Sequence, residues 1–303
     1  MKVLLIGYGS IGKRHEEVLT SFKNIETIDI VTKQNLENKI TFKSLEEVLN
    51  IEGYDYYIIA SETSKHYEQL KFLDLRVKNK KIFCEKPLFD TKQGLEIVQN
   101  SVFVGYVLRF HPLLEKLKEL IVEEKVISVN IQCGQYLPSW RPSVDYRKSY
   151  SAFKNQGGGV LLDLSHEIDY LQWLFGSIEE LKSYQLKISD LEIDSDDFTT
   201  FIGKTVTGAM VNVSIDYISK ITHRVMMVNT IDCSYKLDFI ENKLIEVDKE
   251  GKKIVVESKK LERNDMFRWM HSSILEDKQQ CCILEEAQEI MSTISAIQEQ
   301  NNG

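Results

Sequence analysis

Four apolar residues in a row, Val3-Leu4-Leu5-Ile6, run directly into Gly7-Tyr8-Gly9-Ser10-Ile11-Gly12. No other stretch restricts the possible folds as strongly. An unbroken apolar run, rather than an alternating one, marks a strand covered on both faces, as in a parallel sheet flanked by helices. In the turn, Gly7 permits the sharp reversal, Gly9 lets backbone approach a ligand, and Gly12 lets the next helix pack close to the strand. That helix carries Arg14, His15, Val18 and Leu19, and its free N–H groups suit phosphate. A strand before and a helix after are the context in which G-x-G-x-x-G signals a dinucleotide turn. The expected contacts are Gly7, Tyr8, Gly9, Ser10, Ile11 and Gly12. Without such a ligand the same residues are a glycine-rich connector in an α/β domain.

A second strand fits Thr27 to Val31. In a dinucleotide fold the residue just past it meets the adenosine ribose: a carboxylate favours NAD, a basic group NADP. Thr32 and Lys33 stand there with no carboxylate between them, which favours NADP over NAD. Lys33 as a plain solvated lysine is the alternative. A short helix is expected at Ser44 to Asn50, a buried strand at Tyr54 to Ala60, and then Ser61 and Glu62 before a helix holding His66. Strand ends of a parallel sheet face the ligand crevice, so Ser61 and Glu62 are candidate cofactor neighbours. Further strands fit Lys81 to Cys84 and Val102 to Val107, with a helix at Thr91 to Gln99. This alternation is the pattern of a doubly wound parallel sheet.

Leu113 to Glu124 is amphipathic and links to a different rhythm. Strands fit Val126–Tyr136, Leu181–Ile188, Phe198–Lys204, Ala209–Asp216, Val225–Ile231, Ser234–Phe239, Lys243–Val247 and Lys253–Glu257, and closing helices fit Asn264–Asp277 and Leu284–Glu299. The expected fold is α/β: an N-terminal doubly wound parallel sheet over 1–119, then an α+β domain over 120–303 with a large, mostly antiparallel open sheet.

A formal charge of −8 opposes a nucleic-acid partner held by bulk electrostatics. The five cysteines are odd in number and form no C-x-x-C pair, which argues for a reducing compartment and against a disulfide framework or a metal site. No basic segment followed by an apolar stretch opens the chain, and no apolar run approaches the ~20 residues of a membrane helix. A cytoplasmic protein with no membrane partner is the expectation.

Three stretches could carry chemistry. Glu85-Lys86-Pro87 ends a strand where a nicotinamide would lie, and proline restrains the residue before it. Lys86 could therefore place its ammonium near a reacting oxygen, although most lysines are solvated. Beyond Gly157-Gly158-Gly159, a helix should end at Gly176, with Leu164, Ile168, Leu171 and Phe175 on one face. Asp163, His166 and Tyr170 cluster opposite, with Asp169 near the edge. A carboxylate beside an imidazole suits proton transfer, while an incidental surface pair is the alternative. The stretch from Trp140 to Tyr150, with Arg141, Tyr146 and Arg147, combines arginine forks and aromatic rings in a loop. It is either a substrate loop or a packed connector.

Taken in order, these motifs resemble the Gfo/Idh/MocA family, the glucose–fructose oxidoreductase and inositol dehydrogenase group. The likeness rests on Gly7 to Gly12 with His15, Ile59-Ala60-Ser61 with His66, Glu85-Lys86-Pro87, Gly105 to Pro112, and Gly157-Gly158-Gly159 leading to His166-Glu167-Ile168-Asp169. It implies a Rossmann domain, a C-terminal domain whose sheet often joins subunits in a homo-oligomer, and NAD(P)-dependent oxidation or reduction of a sugar, cyclitol or nucleotide-linked sugar. It implies catalytic roles for Lys86 and His166, with Asp163 completing the site and Glu85 and His66 beside the cofactor. Arg109, Trp140, Arg141, Tyr146, Arg147, Tyr150, Asp169 and Tyr170 would then meet substrate. Two departures stand out. Asp163 and His166 are separated by two residues where the family usually has three, and Glu62 replaces a usual proline. A weaker likeness is to members that build bacterial surface polysaccharides or flagellin sugars. Rival functions are a non-enzymatic dinucleotide sensor and a lyase or glycosidase that uses bound NAD transiently.

Overall fold

The computed structural model describes residues 1–97, 99–140, 144–258 and 260–301. The chain forms two compact units, Met1–Val107 with Glu262–Gln288, and Leu108–Leu261 with Glu289–Gly303. The division thus falls earlier than residue 119, and a late segment belongs with the N-terminal unit.

The first unit contains β1 (Lys2–Ile6), α1 (Ser10–Thr20), β2 (Thr27–Val31), β3 (Thr41–Phe42), β4 (Tyr56–Ile59), α2 (His66–Asp74), β5 (Lys81–Cys84) and β6 (Ser101–Val104). Val3, Leu4 and Leu5 are wholly buried, as the unbroken apolar run demands. In the second unit follow α3 (Pro112–Ile121), β7 (Val126–Gly134), α4 (Leu137–Trp140), α5 (Val160–Asp163), α6 (His166–Phe175), β8 (Ile178–Leu186), β9 (Phe198–Thr205), β10 (Met210–Asp216), β11 (His223–Thr230), β12 (Cys233–Asp238), β13 (Lys243–Asp248) and β14 (Lys253–Glu257). Then α7 (Asp265–Leu275) and β15 (Cys282–Ile283) return to the first unit, and α8 (Leu284–Asn301) closes the chain.

The first sheet runs β15-β6-β5-β4-β1-β2-β3. Its β1 to β6 pairs are parallel, and only β15 lies antiparallel, against β6. Strand order reverses between β1 and β4, so the crevice of this Rossmann sheet opens at the C-terminal ends of those two strands. The second sheet runs β14-β13-β12-β11-β7-β10-β9-β8. It is antiparallel except where β7 pairs with β10. Burial alternates along β9 and β10, the signature of a sheet covered on one face. On its other face Ile202, Met210 and Met227 are exposed. The expected fold class is therefore present in both halves.

In the first unit two elements differ from expectation. Residues 91–97 are not helical. Gly94 weakens so short a helix, and the Leu95 carbonyl is instead taken by the Gln288 side chain at 2.7 Å. Ser44 to Asn50 forms only one tight turn, Leu45–Glu47. Among the described residues no helix is long and apolar enough to cross a membrane.

Candidate active site

In the first unit the glycine turn has the shape the motif requires. Gly7 adopts φ +94°, and a side chain on it would strike the Ala60 carbonyl. A Cβ on Gly12 would strike the Gly7 carbonyl, so the close approach of α1 to β1 needs glycine. Gly9, by contrast, faces open space, with no atom within 4 Å of where its Cβ would be. Gly9 and Ser10 are exposed at the start of α1, and no side chain caps that helix end. Bare N–H groups beside a free volume fit the pyrophosphate of a dinucleotide.

Around the turn, Tyr8 bends back onto α1. Its hydroxyl donates to Glu16 and receives from Lys39 at 3.1 Å, and its carbonyl accepts from Gln34 at 2.9 Å. Past β2, Thr32 is buried and its hydroxyl accepts the Gln34 N–H at 3.2 Å, whereas Lys33 is exposed. Asp29, the one carboxylate within β2, receives the Tyr54 hydroxyl at 2.7 Å. After β4, Ser61 donates to Gln69 at 2.6 Å. Glu62 pairs with Lys65 at 2.8 Å on the surface, which holds its carboxyl below the usual range.

The Glu85-Lys86-Pro87 segment follows β5, and its Lys86–Pro87 peptide is cis. Glu85 and His66 turn inward instead of lining an open wall. Glu85 meets His15 at 2.9 Å and accepts the Lys86 N–H at 3.1 Å. His66, only 1% exposed, sets one ring nitrogen 3.2 and 3.1 Å from the carbonyls of Pro87 and Leu88 and the other 3.3 Å from that of Ser61. Burial lowers its pKa against the upward pull of those carbonyls. Both residues, expected beside the cofactor, brace the segments that follow β4 and β5. From Ile82 to Phe89 every residue is buried except Lys86.

The second unit repeats that arrangement. From Gly157 to Leu171 every residue is buried except His166. The expected single helix breaks at Leu164 and Ser165, so Asp163 ends α5 and His166 begins α6. Asp163 and His166 therefore share no helical ridge, which corrects the single ridge expected from their spacing. Asp163 instead accepts hydroxyls from Tyr150 at 2.7 Å, Ser151 at 2.6 Å and Tyr217 at 2.5 Å. Gly159, at φ +122°, lets the chain pass Asp196, whose carboxylate accepts the Leu161 N–H at 3.0 Å and so secures the start of α5.

Two ion pairs, one buried and one partly exposed at its arginine, hold α6. Arg109 donates from Nε and Nη2 to one oxygen of Asp169, at 2.9 and 2.7 Å, with side chains 2% and 0% exposed. Arg224 donates to Glu167 at 2.7 Å. Tyr170 is fully buried, stacked on Phe239. Arg109, Asp169 and Tyr170, expected to meet substrate, are thus buried within the second unit. Glu167 and Arg224 were missed: one sits in a motif read for its neighbour, the other lies 57 residues away.

The aromatic loop gives a shallow cleft lined by Leu137, Trp140, Val144, Tyr146, Ser149 and Ser151. The Trp140 indole nitrogen is buried with no hydrogen-bond partner among the described residues, and the ring stands edge-on to Tyr217. Arg147, expected to meet substrate, is half-exposed and pairs with Asp145 at 2.9 and 3.0 Å. Arg141 lies outside the described residues.

Residues 1–102 match the family model for the NAD-binding Rossmann fold of the GFO/IDH/MocA oxidoreductases, and residues 115–230 match the model of the GFO/IDH/MocA C-terminal domain. The chain belongs to the GFO/IDH/MocA family. It is an NAD-binding oxidoreductase. Among curated relatives, glucose-6-phosphate 3-dehydrogenase of Bacillus subtilis is 23% identical over 80% of this chain and 72% of that protein. The 2,7-anhydro-N-acetylneuraminate hydratase of Escherichia coli is 26% identical over 58% of this chain and 50% of its own length. The fold is shared with an oxidoreductase from Agrobacterium radiobacter solved with NAD+, L-tartaric acid and magnesium, at TM-score 0.83 and 14% identity over 99% of this chain and 96% of that one.

Membership of a GFO/IDH/MocA oxidoreductase explains why the two units spend so much buried polarity on small segments. In the first, Glu85 and His66 fix the backbone on either side of Lys86. In the second, the Glu167 and Asp169 pairs fix the first turn of α6, where His166 stands.

Proposed function

We propose that the chain interconverts a hydroxyl and a carbonyl on a sugar, sugar phosphate or nucleotide-linked sugar, with NADP(H) preferred over NAD(H). The observation that carries this reading is the exposure pattern: Lys86 and His166 are each the one accessible side chain in an otherwise buried run. A residue kept accessible by so much fixed structure is built to act on a ligand. Bound along the Gly7–Gly12 turn, the nicotinamide cofactor supplies the hydride chemistry. Gly9, Ser10 and the first N–H groups of α1 hold its phosphates. Lys86 offers its ammonium to the substrate oxygen and lowers the cost of charge there. His166 takes the hydroxyl proton at a ring nitrogen during oxidation and returns it during reduction. Asp163, through its hydroxyl partners, shapes the Tyr150–Ser151 wall. The Trp140 and Tyr146 rings and the free indole N–H suit the mixed apolar and polar faces of a sugar.

The preference for NADP rests on Lys33. It is exposed just past β2, while Asp29 lies inside β2 and is engaged by Tyr54. The likeness to a glucose-6-phosphate 3-dehydrogenase supports a sugar substrate. The five cysteines are odd in number and form no C-x-x-C pair, in keeping with a reducing, cytoplasmic setting, and the apolar open face of the second sheet supports a homo-oligomer.

The test is mass spectrometry of ligands that co-purify, followed by turnover of hexose phosphates and nucleotide-linked sugars with NADP+ and NAD+. Net reduced nicotinamide is expected, with Lys86→Ala and His166→Ala each losing about 100-fold or more in kcat. Product without net nicotinamide reduction, or near-full turnover in both variants, overturns the reading.

A further inference from the structure

Beneath Lys86 lies a file of buried polar groups that the proposed reaction does not use. The Tyr56 hydroxyl is 2.9 Å from His271 Nδ1. His271 Nε2 is 2.8 Å from His15 Nδ1. His15 Nε2 is 2.9 Å from Glu85 Oε1, and Glu85 Oε2 accepts the Lys86 N–H at 3.1 Å. Tyr56, His271 and His15 are all 0% exposed, and Glu85 is 9% exposed. They come from β4, α7, α1 and the end of β5.

Only one direction of donation satisfies every member. Tyr56 donates to His271 Nδ1, which leaves the His271 proton on Nε2. That proton goes to His15 Nδ1, which leaves the His15 proton on Nε2, facing the Glu85 carboxylate. Reversed, the buried Tyr56 hydroxyl hydrogen has no acceptor, and an imidazole lone pair confronts the carboxylate unless Glu85 carries a proton. Each of those faults costs the desolvation of a buried polar group. Burial pushes the His271 pKa far down, and the neighbouring His15 adds to it, which keeps that ring neutral and able to hold a single tautomer. The file ends inside the protein at Tyr56, so it carries no proton to solvent.

We propose that Tyr56, His271 and His15 form a directed hydrogen-bond chain that holds Glu85 in one orientation and thereby fixes the backbone of Lys86 relative to α1, the helix that opens at the glycine turn. They are positioning residues for Lys86, a role that rests on the proposed function of that lysine. The chain makes the tautomer of two histidines a condition of where the lysine stands. A fold that needed only bulk at these places would use apolar side chains, which carry no unpaired buried groups.

The experiment is nitrogen NMR of the full-length protein with 15N-labelled histidine, with His15→Gln and His271→Gln assigning the signals, joined to hydrogen exchange at the Lys86 amide. In the wild type both rings are expected with the proton on Nε2 and a bare Nδ1. Tyr56→Phe removes one oxygen. It should move His271 to a mixture of tautomers and speed Lys86 amide exchange about tenfold, the loss of roughly one buried hydrogen bond. His271→Gln keeps a donor towards His15 and should leave exchange slow, whereas His271→Phe should speed it. Should His271→Phe fail to fold, Tyr56→Phe and His271→Gln still decide. An Nδ1 proton or a charged ring on either histidine in the wild type overturns the proposal, as does unchanged Lys86 exchange in Tyr56→Phe. Lys86→Ala separates the two readings: full turnover there removes the role of the lysine, while the tautomers still report on the chain.

Discussion

Arg109 and Asp169 meet inside the second unit through two donors on one carboxylate oxygen, 60 residues apart in the chain. The pair is out of solvent, so removing one partner strands a buried charge. Asp169→Ala and Arg109→Ala should each cost about 3–5 kcal/mol of unfolding free energy. A paired replacement by apolar residues of matching volume should cost less than either single change. Urea melts of the three variants check this. Equal losses in all three would mean that the charge pairing carries none of the effect.

Lys33 is the position at which cofactor choice should be adjustable. Lys33→Asp should raise the Kd for NADPH about tenfold or more and leave that for NADH unchanged or lower, because a carboxylate repels a 2′-phosphate and accepts from a 2′-hydroxyl. Fluorescence titration with the two reduced cofactors measures both constants. An unchanged ratio would separate Lys33 from the ribose.

Stability should fall on mild acidification, before the carboxylates titrate. Burial lowers the pKa values of His66, His111 and His271. The unfolded chain therefore binds protons near the ordinary histidine value of about 6.5 while the folded chain stays neutral. More protons on the unfolded state means that stability is full above that pH and declines below it, by at most about 1.4 kcal/mol per pH unit for each ring. Urea midpoints between pH 7.5 and 5.5 test the sign, and His111→Gln should flatten the slope.

The open face of the second sheet carries a cross-strand row in which Ile202 lies opposite Asn212, Asn212 opposite Asn130, and Asn130 opposite Met227. Ile202 and Met227 are 55% and 45% exposed. A charge in this row should weaken the proposed self-association through the sheet. Ile202→Glu is expected to shift the mass seen by light scattering towards the monomer with little loss of thermal stability. An unchanged mass would move the contact elsewhere.

The parallel half was legible because its strands bury both faces. Thr27 to Val31 and Lys81 to Cys84 match their predicted ends. The open sheet was legible from alternation and turns. The segment 91–97 failed for the opposite reason: it offers only Leu95 and Ile97 for burial, and propensity alone cannot hold a short helix around Gly94. The break after Asp163 left no mark, since Leu164 and Ile168 preserve the helical spacing through it. Lys86 and His166 stood out by motif. The pairing of Arg109 with Asp169 and of Glu167 with Arg224 did not, because partners so distant in sequence meet only once the fold is complete.

The return of residues 262–288 to the first unit has a consequence for synthesis. By residue 107 the chain holds the glycine turn and Lys86, yet it lacks the antiparallel edge strand β15 and the helix that carries His271. The N-terminal unit of a growing chain therefore remains open along β6, with an unpaired sheet edge, until the ribosome has made nearly all of the second unit. Long waits with exposed strand edges are where nascent proteins recruit chaperones and mispair. A fragment cut at residue 107 should expose that edge permanently and aggregate where the whole chain does not.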